Sequence, residues 1–107
     1  MNDVNVLITA ISEGDETEVQ RLILTGINLN QRDEEGCTPL FYAVLMGNSM
    51  IVELLIAGGS DVNATALEPG ATILADTPLD LAKQASFLMD KKKYEPIVQA
   101  LLTHGAI

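Results

Sequence analysis

His104 is the one histidine of this 107-residue chain and Cys37 its one cysteine. A histidine base works beside a hydroxyl or thiol that it can deprotonate. Ser and Thr are present, but His104 falls next to the expected end of the last helix, where its simpler role is to interact with unpaired carbonyls. Cys37 has neither a second cysteine nor a nearby histidine, so the sequence shows no zinc set and no Cys–His nucleophile. A phosphate-binding loop must precede a helix, whereas Gly58-Gly59 follows one. The carboxylates are scattered singly apart from Asp33-Glu34-Glu35, and they lack the spacing of a calcium loop. The sequence therefore predicts no catalytic residues, no cofactor and no metal.

The elements that would position any site are short helices. In the stretch from Cys37 to Asn63, Thr38 can cap a helix and Pro39 suits its first position, because the missing N–H would be unpaired there anyway. Leu40, Ala43 and Val44 recur at helical spacing. Gly47-Asn48 breaks that pattern and permits a tight reversal. Ile51, Val52, Leu54 and Leu55 restart it, and Gly58-Gly59 can end it in a left-handed conformation. Helices this short are marginal alone, so each needs packed neighbours.

Those neighbours come from repetition. Shifting the chain by 33 residues pairs Leu7 with Leu40, Ala10 with Ala43, Gly14 with Gly47, Val19 with Val52, Leu22 with Leu55, Gly26 with Gly59 and Asn30 with Asn63. Thr38-Pro39-Leu40 with Ala43, and Leu54-Leu55 followed by Gly59, Asp61, Val62 and Asn63, stand where TPLHxA and LLxxGADVN segments occur in ankyrin repeats, whose period is about 33 residues. The chain thus resembles the ankyrin repeat family over nearly its whole length. The resemblance implies an all-α solenoid of three helix–turn–helix units with β-turn or hairpin fingers, built as a single domain over 1–107. The expected units are an N-terminal capping repeat (1–32), a central repeat (33–65) and a third repeat (66–107).

Each unit carries local expectations. Asn5 is placed to cap a first helix running through Ser12. Asp15 is placed to cap the second, with Glu18 reaching back as in a capping box. Gly36 suits the positive φ of a finger turn that would leave Asp33, Glu34 and Glu35 at an exposed tip. Thr77-Pro78 lies 39 residues after Thr38-Pro39, so the second finger (64–76) is extended by six residues and carries apolar Leu67, Ile73 and Leu74. A second insertion, at 86–94, lengthens the next helix toward Met89. Lys91, Lys92 and Lys93 are expected near that helix's C-terminus, where cations are favourable. Pro96 is expected to open the last helix, Ile97 to Thr103. No polar capping repeat follows Ile107, so the outward face of the last helix is expected to be self-sufficient, covered by the third unit, or covered by another chain.

The sequence has 48% hydrophobic residues, mean hydropathy +0.24, no Trp and a net charge of −9. The core should therefore be aliphatic. Residues 1–80 carry 13 acidic and 2 basic side chains, hence −11, and residues 81–107 carry 2 acidic and 4 basic, hence +2. Such a balance repels nucleic acid and anionic lipid and favours encounter with a basic protein. No apolar run is long enough to span a bilayer, and the start MNDVNVL lacks the basic residues of a secretory signal. A cytoplasmic location follows as a default.

The positive functional signal is apolar residues where an exposed face is expected. Family members bind partner proteins through the face of the inner helices and through the fingers. The resemblance therefore places Leu45 and Met46, with Phe41 one turn earlier, on that face; the equivalents of Leu45 and Met46 in the first unit are Ser12 and Glu13. The expected protein-binding site comprises Arg32, Asp33, Glu34, Glu35, Phe41, Leu45, Met46, Leu67, Glu68, Ile73 and Leu74, an apolar centre with an acidic rim. Burial of Phe41 and Leu45 under the inserted finger is the competing reading. The expected function is a non-catalytic module that binds a basic protein, with an inhibitor or immunity role as a narrower version. Structural self-association is the alternative, so the chain would be a monomer or weakly self-associating.

Overall fold

The computed structural model describes residues 3–34, 36–64 and 77–106. They form three antiparallel helix pairs: α1 (Asp3–Ser12) with α2 (Glu16–Leu24), α3 (Pro39–Met46) with α4 (Ser49–Ala57), and α5 (Pro78–Leu88) with α6 (Lys91–Thr103). The first helices pack side by side in the order α1, α3, α5, and the second helices form a parallel layer in the order α2, α4, α6. No strand occurs among the described residues. This is the helical solenoid that the period predicts.

Repetition in the sequence becomes stacking because equivalent residues face the same seam. Leu7, Leu40 and Leu79 are all buried in one continuous core, together with Ala10, Ala43 and Ala82 and with Val19 and Val52. The core is aliphatic except for two fully buried aromatic rings, Phe41 and Tyr94. Two asparagines tie successive units through their backbones. The Asn30 amide donates to the Gly59 carbonyl (3.2 Å) and accepts from the Asp61 N–H (2.7 Å). Asn63, its equivalent, donates to the Gly105 carbonyl (3.1 Å).

Local capping follows the sequence in most places. Asp15 accepts from the Glu18 N–H, and Thr77 from the Asp80 N–H. Gly47 closes α3 with φ 71°, its N–H reaching the Val44 carbonyl while the Asn48 N–H reaches that of Ala43. This pairing satisfies two of the carbonyls that a helix end leaves open.

Five local expectations are corrected. The first helix begins at Asp3, so Asn5 lies inside it, its carbonyl accepting from the Thr9 hydroxyl. The Glu18 carboxylate does not return to the cap; the Arg21 guanidinium, one turn on, takes both its oxygens. Thr38 stands in the capping position with extended backbone, but its hydroxyl makes no cap bond. Finally, Lys91, Lys92 and Lys93 open α6 instead of closing α5, because Asp90 caps the helix by accepting from the Lys93 N–H (3.1 Å). Pro96 consequently lies inside α6. Cations in a first turn face the positive end of the helix dipole, so their placement costs stability instead of adding it.

Candidate protein-binding face

Leu45 and Met46 end α3, where 48% and 44% of their surface is exposed. Leu40, Ala43 and Val44 occupy the buried side of the same helix, so its last turn leaves the next two residues facing solvent. Met50 is also exposed, across the Gly47-Asn48 reversal. In register with Leu45 on the flanking helices are Ser12, exposed, and Gln84, half-buried. Leu45 is therefore an apolar point with polar neighbours on either side.

Phe41 does not belong to this surface. It is 1% exposed and part of the core. A periodicity confined to one helix identifies an apolar stripe, but α3 has helices on both flanks and α4 behind it, so more of its circumference is covered than one stripe suggests.

The finger is also rearranged from the expectation. Asp33 is half-buried, and its carboxylate is turned inward. One oxygen accepts from the Cys37 N–H (3.1 Å) and the other from the Tyr42 hydroxyl. The Asp33 backbone adds two further bonds, its N–H to the Cys37 carbonyl and its carbonyl to the Gly36 N–H. Gly36 adopts φ 82°, as the turn requires. Asp33 thus fastens the finger to α3. We expect Asp33→Ala to lower the unfolding free energy by about 1–3 kcal/mol, since bonds to a carboxylate are lost and a phenol is left without its acceptor; urea denaturation measures this. Glu34 is exposed and Arg32 half-buried. Glu35, Leu67, Glu68, Ile73 and Leu74 lie outside the described residues.

The finger reaches α3 at Tyr42, one turn before the apolar pair. The finger backbone precedes the first residue of α3 and Leu45-Met46 end it, so six residues, or about 9 Å of helix, lie between. What borders the apolar pair is the start of α6. The Tyr94 hydroxyl donates to the Leu45 carbonyl (3.0 Å), supplying a third open helix-end group with its partner. A Cβ on Gly47 would strike Lys93 Cε and lie 3.1 Å from the Tyr94 ring. Lys93 and the buried Tyr94 therefore stand at this end of α3. Sequence reasoning missed Tyr42 and Tyr94, whose partners lie 9 and 49 residues away. Their signal is that a tyrosine on a buried helix face seeks a polar partner for its hydroxyl.

Among the described residues, no three of His, Cys, Asp and Glu converge in a way that could hold a metal ion, and no helix is long and apolar enough to cross a membrane.

Comparison with known proteins agrees with this architecture. A family profile described as "Ankyrin repeats (3 copies)" matches residues 1–66, the part that precedes the lengthened α5–α6 pair. An ankyrin repeat-containing protein of Saccharomyces cerevisiae is 33% identical over 91 residues, which is 85% of this chain and 18% of the yeast protein. The 2-5A-dependent ribonuclease of Homo sapiens is 44% identical over 62 residues, 57% of this chain and 8% of that protein. A putative ankyrin repeat protein of Borreliella burgdorferi is 31% identical over 80 residues, 74% of this chain and 36% of that protein. The chain spans about a third or less of these three relatives. Ankyrin repeats generally mediate protein–protein interaction and are typically non-catalytic. With its 33-residue period, three stacked helix pairs and asparagine ties, this chain belongs to the ankyrin repeat family.

Proposed function

We propose that the chain is a non-catalytic protein-binding module that engages a partner through the face of its inner helices and its first finger. The observation that carries this reading is the pair Leu45 and Met46, adjacent large apolar side chains left about half exposed at the end of a helix whose Leu40, Phe41, Ala43 and Val44 are enclosed. Such side chains stabilise a complex when a partner removes them from water. The net charge of −11 over residues 1–80 supports a partner whose contacting surface is basic. A cytoplasmic setting belongs to the same proposal and suits a chain whose one cysteine is buried.

The test begins with a partner recovered from the source cell and identified by mass spectrometry. Titration calorimetry against the double variant Leu45→Asp, Met46→Asp should then show at least about tenfold weaker binding, since a central apolar contact is commonly worth more than 1 kcal/mol. Unchanged affinity in a folded double variant removes this face from the site. A narrower form of the reading is an inhibitor or antidote that covers the substrate site of a basic enzyme or toxin. The negative charge supports it, and a recovered partner with no such activity counts against it.

Self-association through the outward face of the third unit is the alternative. Lys83 stands there in register with buried Ile11 and Val44, and it is exposed. A lysine where the other units place a stacking side chain weakens that reading, and a concentration-independent monomer mass in light scattering would remove it.

A further inference from the structure

We propose that the α5–α6 turn is a docking tip for an anionic phospholipid surface. Phe87, Leu88 and Met89 are consecutive and 88%, 67% and 73% exposed, the largest contiguous run of bare apolar side chains among the described residues. Lys91, Lys92 and Lys93 follow after Asp90 and are exposed. No ion pair among the described residues engages them. Lys83 lines a shared groove with Phe87 and Lys91. Four of the chain's six cationic side chains are thus gathered around its most exposed apolar segment.

The fold lifts this segment clear of its neighbours. Both α3 and α5 begin with Pro after a Thr in the capping position, but α5 has eleven residues and α3 eight. Three extra residues carry the tip about 4.5 Å past the Gly47 turn. A convex apolar knob within a collar of lysines fits a bilayer interface: the apolar residues enter the acyl boundary while the ammonium groups meet lipid phosphates and carboxylates. Stability does not account for the lysines, since they sit at the unfavourable end of the α6 dipole. Two carboxylates lie near the tip: Asp90 is engaged in capping α6, and Glu95 lines the groove with Lys83 and Lys91, so four cations face two anions and the local charge is +2.

The acidic remainder of the chain does not veto this. Glu34 of the finger lies at the opposite end of the helices. Glu13, Asp15 and Glu16 lie at the same end, in the α1–α2 turn, but two helix spacings away, about 20 Å. That exceeds the Debye length of about 8 Å at physiological salt, so the collar's field governs at the tip. The expectation that the protein repels anionic lipid came from net charge, which averages two chemically different ends.

The experiment is flotation of the full chain with vesicles of phosphatidylcholine alone and with vesicles in which phosphatidylserine replaces one third of it. We expect binding to the second only, decreasing with added salt. Replacing Lys91, Lys92 and Lys93 by Gln should weaken it by roughly 100-fold, about fivefold per lysine. Replacing Phe87, Leu88 and Met89 by Ser should abolish it. All six side chains are exposed, so both variants should retain the wild-type helical circular dichroism. The proposal is overturned by absence of binding to the anionic vesicles, by equal binding to both vesicle types, or by indifference to either set of substitutions. Tip-dependent capture of an acidic protein with no vesicle binding would likewise overturn it, in favour of a protein-docking knob.

Discussion

Tyr94→Ala should lower the unfolding free energy by about 3–5 kcal/mol, the range for removing a buried aromatic ring. Tyr94 is 2% exposed and among the largest fully enclosed side chains. Its ring lies against Gly47, a position that accepts no side chain without displacing it. Its hydroxyl serves the Leu45 carbonyl. One residue therefore joins the lengthened third unit to the end of α3, and its loss removes packing and leaves a helix-end carbonyl unserved. Domains of this size are stable by about 5–15 kcal/mol, so the variant should be marginal at 25 °C. Guanidinium denaturation followed by circular dichroism measures the loss. Tyr94→Phe keeps the ring and should cost only about 1 kcal/mol.

The same pair of variants gives a pH signature. Burial pushes the Tyr94 phenol above its ordinary value near 10, and the charge of Asp90 pushes it further. Ionisation is therefore easier in the unfolded chain than in the folded one. The contribution is fully present below pH about 10 and is lost as pH climbs from there through the higher folded value. Tyr94→Phe should lack this decline, so its stability relative to wild type should improve with rising alkalinity. An unchanged alkaline limb would mean that another group governs it.

Phe41→Ala should be comparably damaging, about 3–5 kcal/mol, while Leu45→Ala, four residues on, should change stability by less than about 0.5 kcal/mol. The contrast rests on exposures of 1% and 48% within one helix. Thermal unfolding would show it as a fall of at least about 12 °C for the first, by the scaling of roughly 4 °C or more per kcal/mol for domains near this length, against little change for the second. Binding reverses the order. Leu45 is accessible to a partner and Phe41 is not, so Leu45 variants should act on affinity and Phe41 variants on folding. A Phe41→Ala protein with wild-type stability would overturn the burial on which this division rests.

Much of the fold was legible because its determinants are local and repeated. A helix reports its apolar stripe through spacing, its start through a residue such as Asp15 and its end through a glycine such as Gly47. These signals recur at 33 residues because each unit buries the same seam against the next. The site was less legible. Asp33 reads as a surface carboxylate until Tyr42 is found against it, nine residues on. Lys91 to Lys93 read as the close of one helix, whereas they open the next. The choice fell to the Asp90 cap and to burial of Tyr94, one of which depends on a distant element.

The sequence by itself determined that three helix pairs stack, where most of them turn, and that negative charge lies in the first two thirds of the chain. Those are properties of spacing and composition along a line. Only the tertiary structure decided that Phe41 is core while Leu45 is surface, that Asp33 faces inward, and that an apolar tip shares its end of the molecule with lysines. Each depends on which neighbour occupies the space beside a helix, and periodicity within one helix does not contain that information.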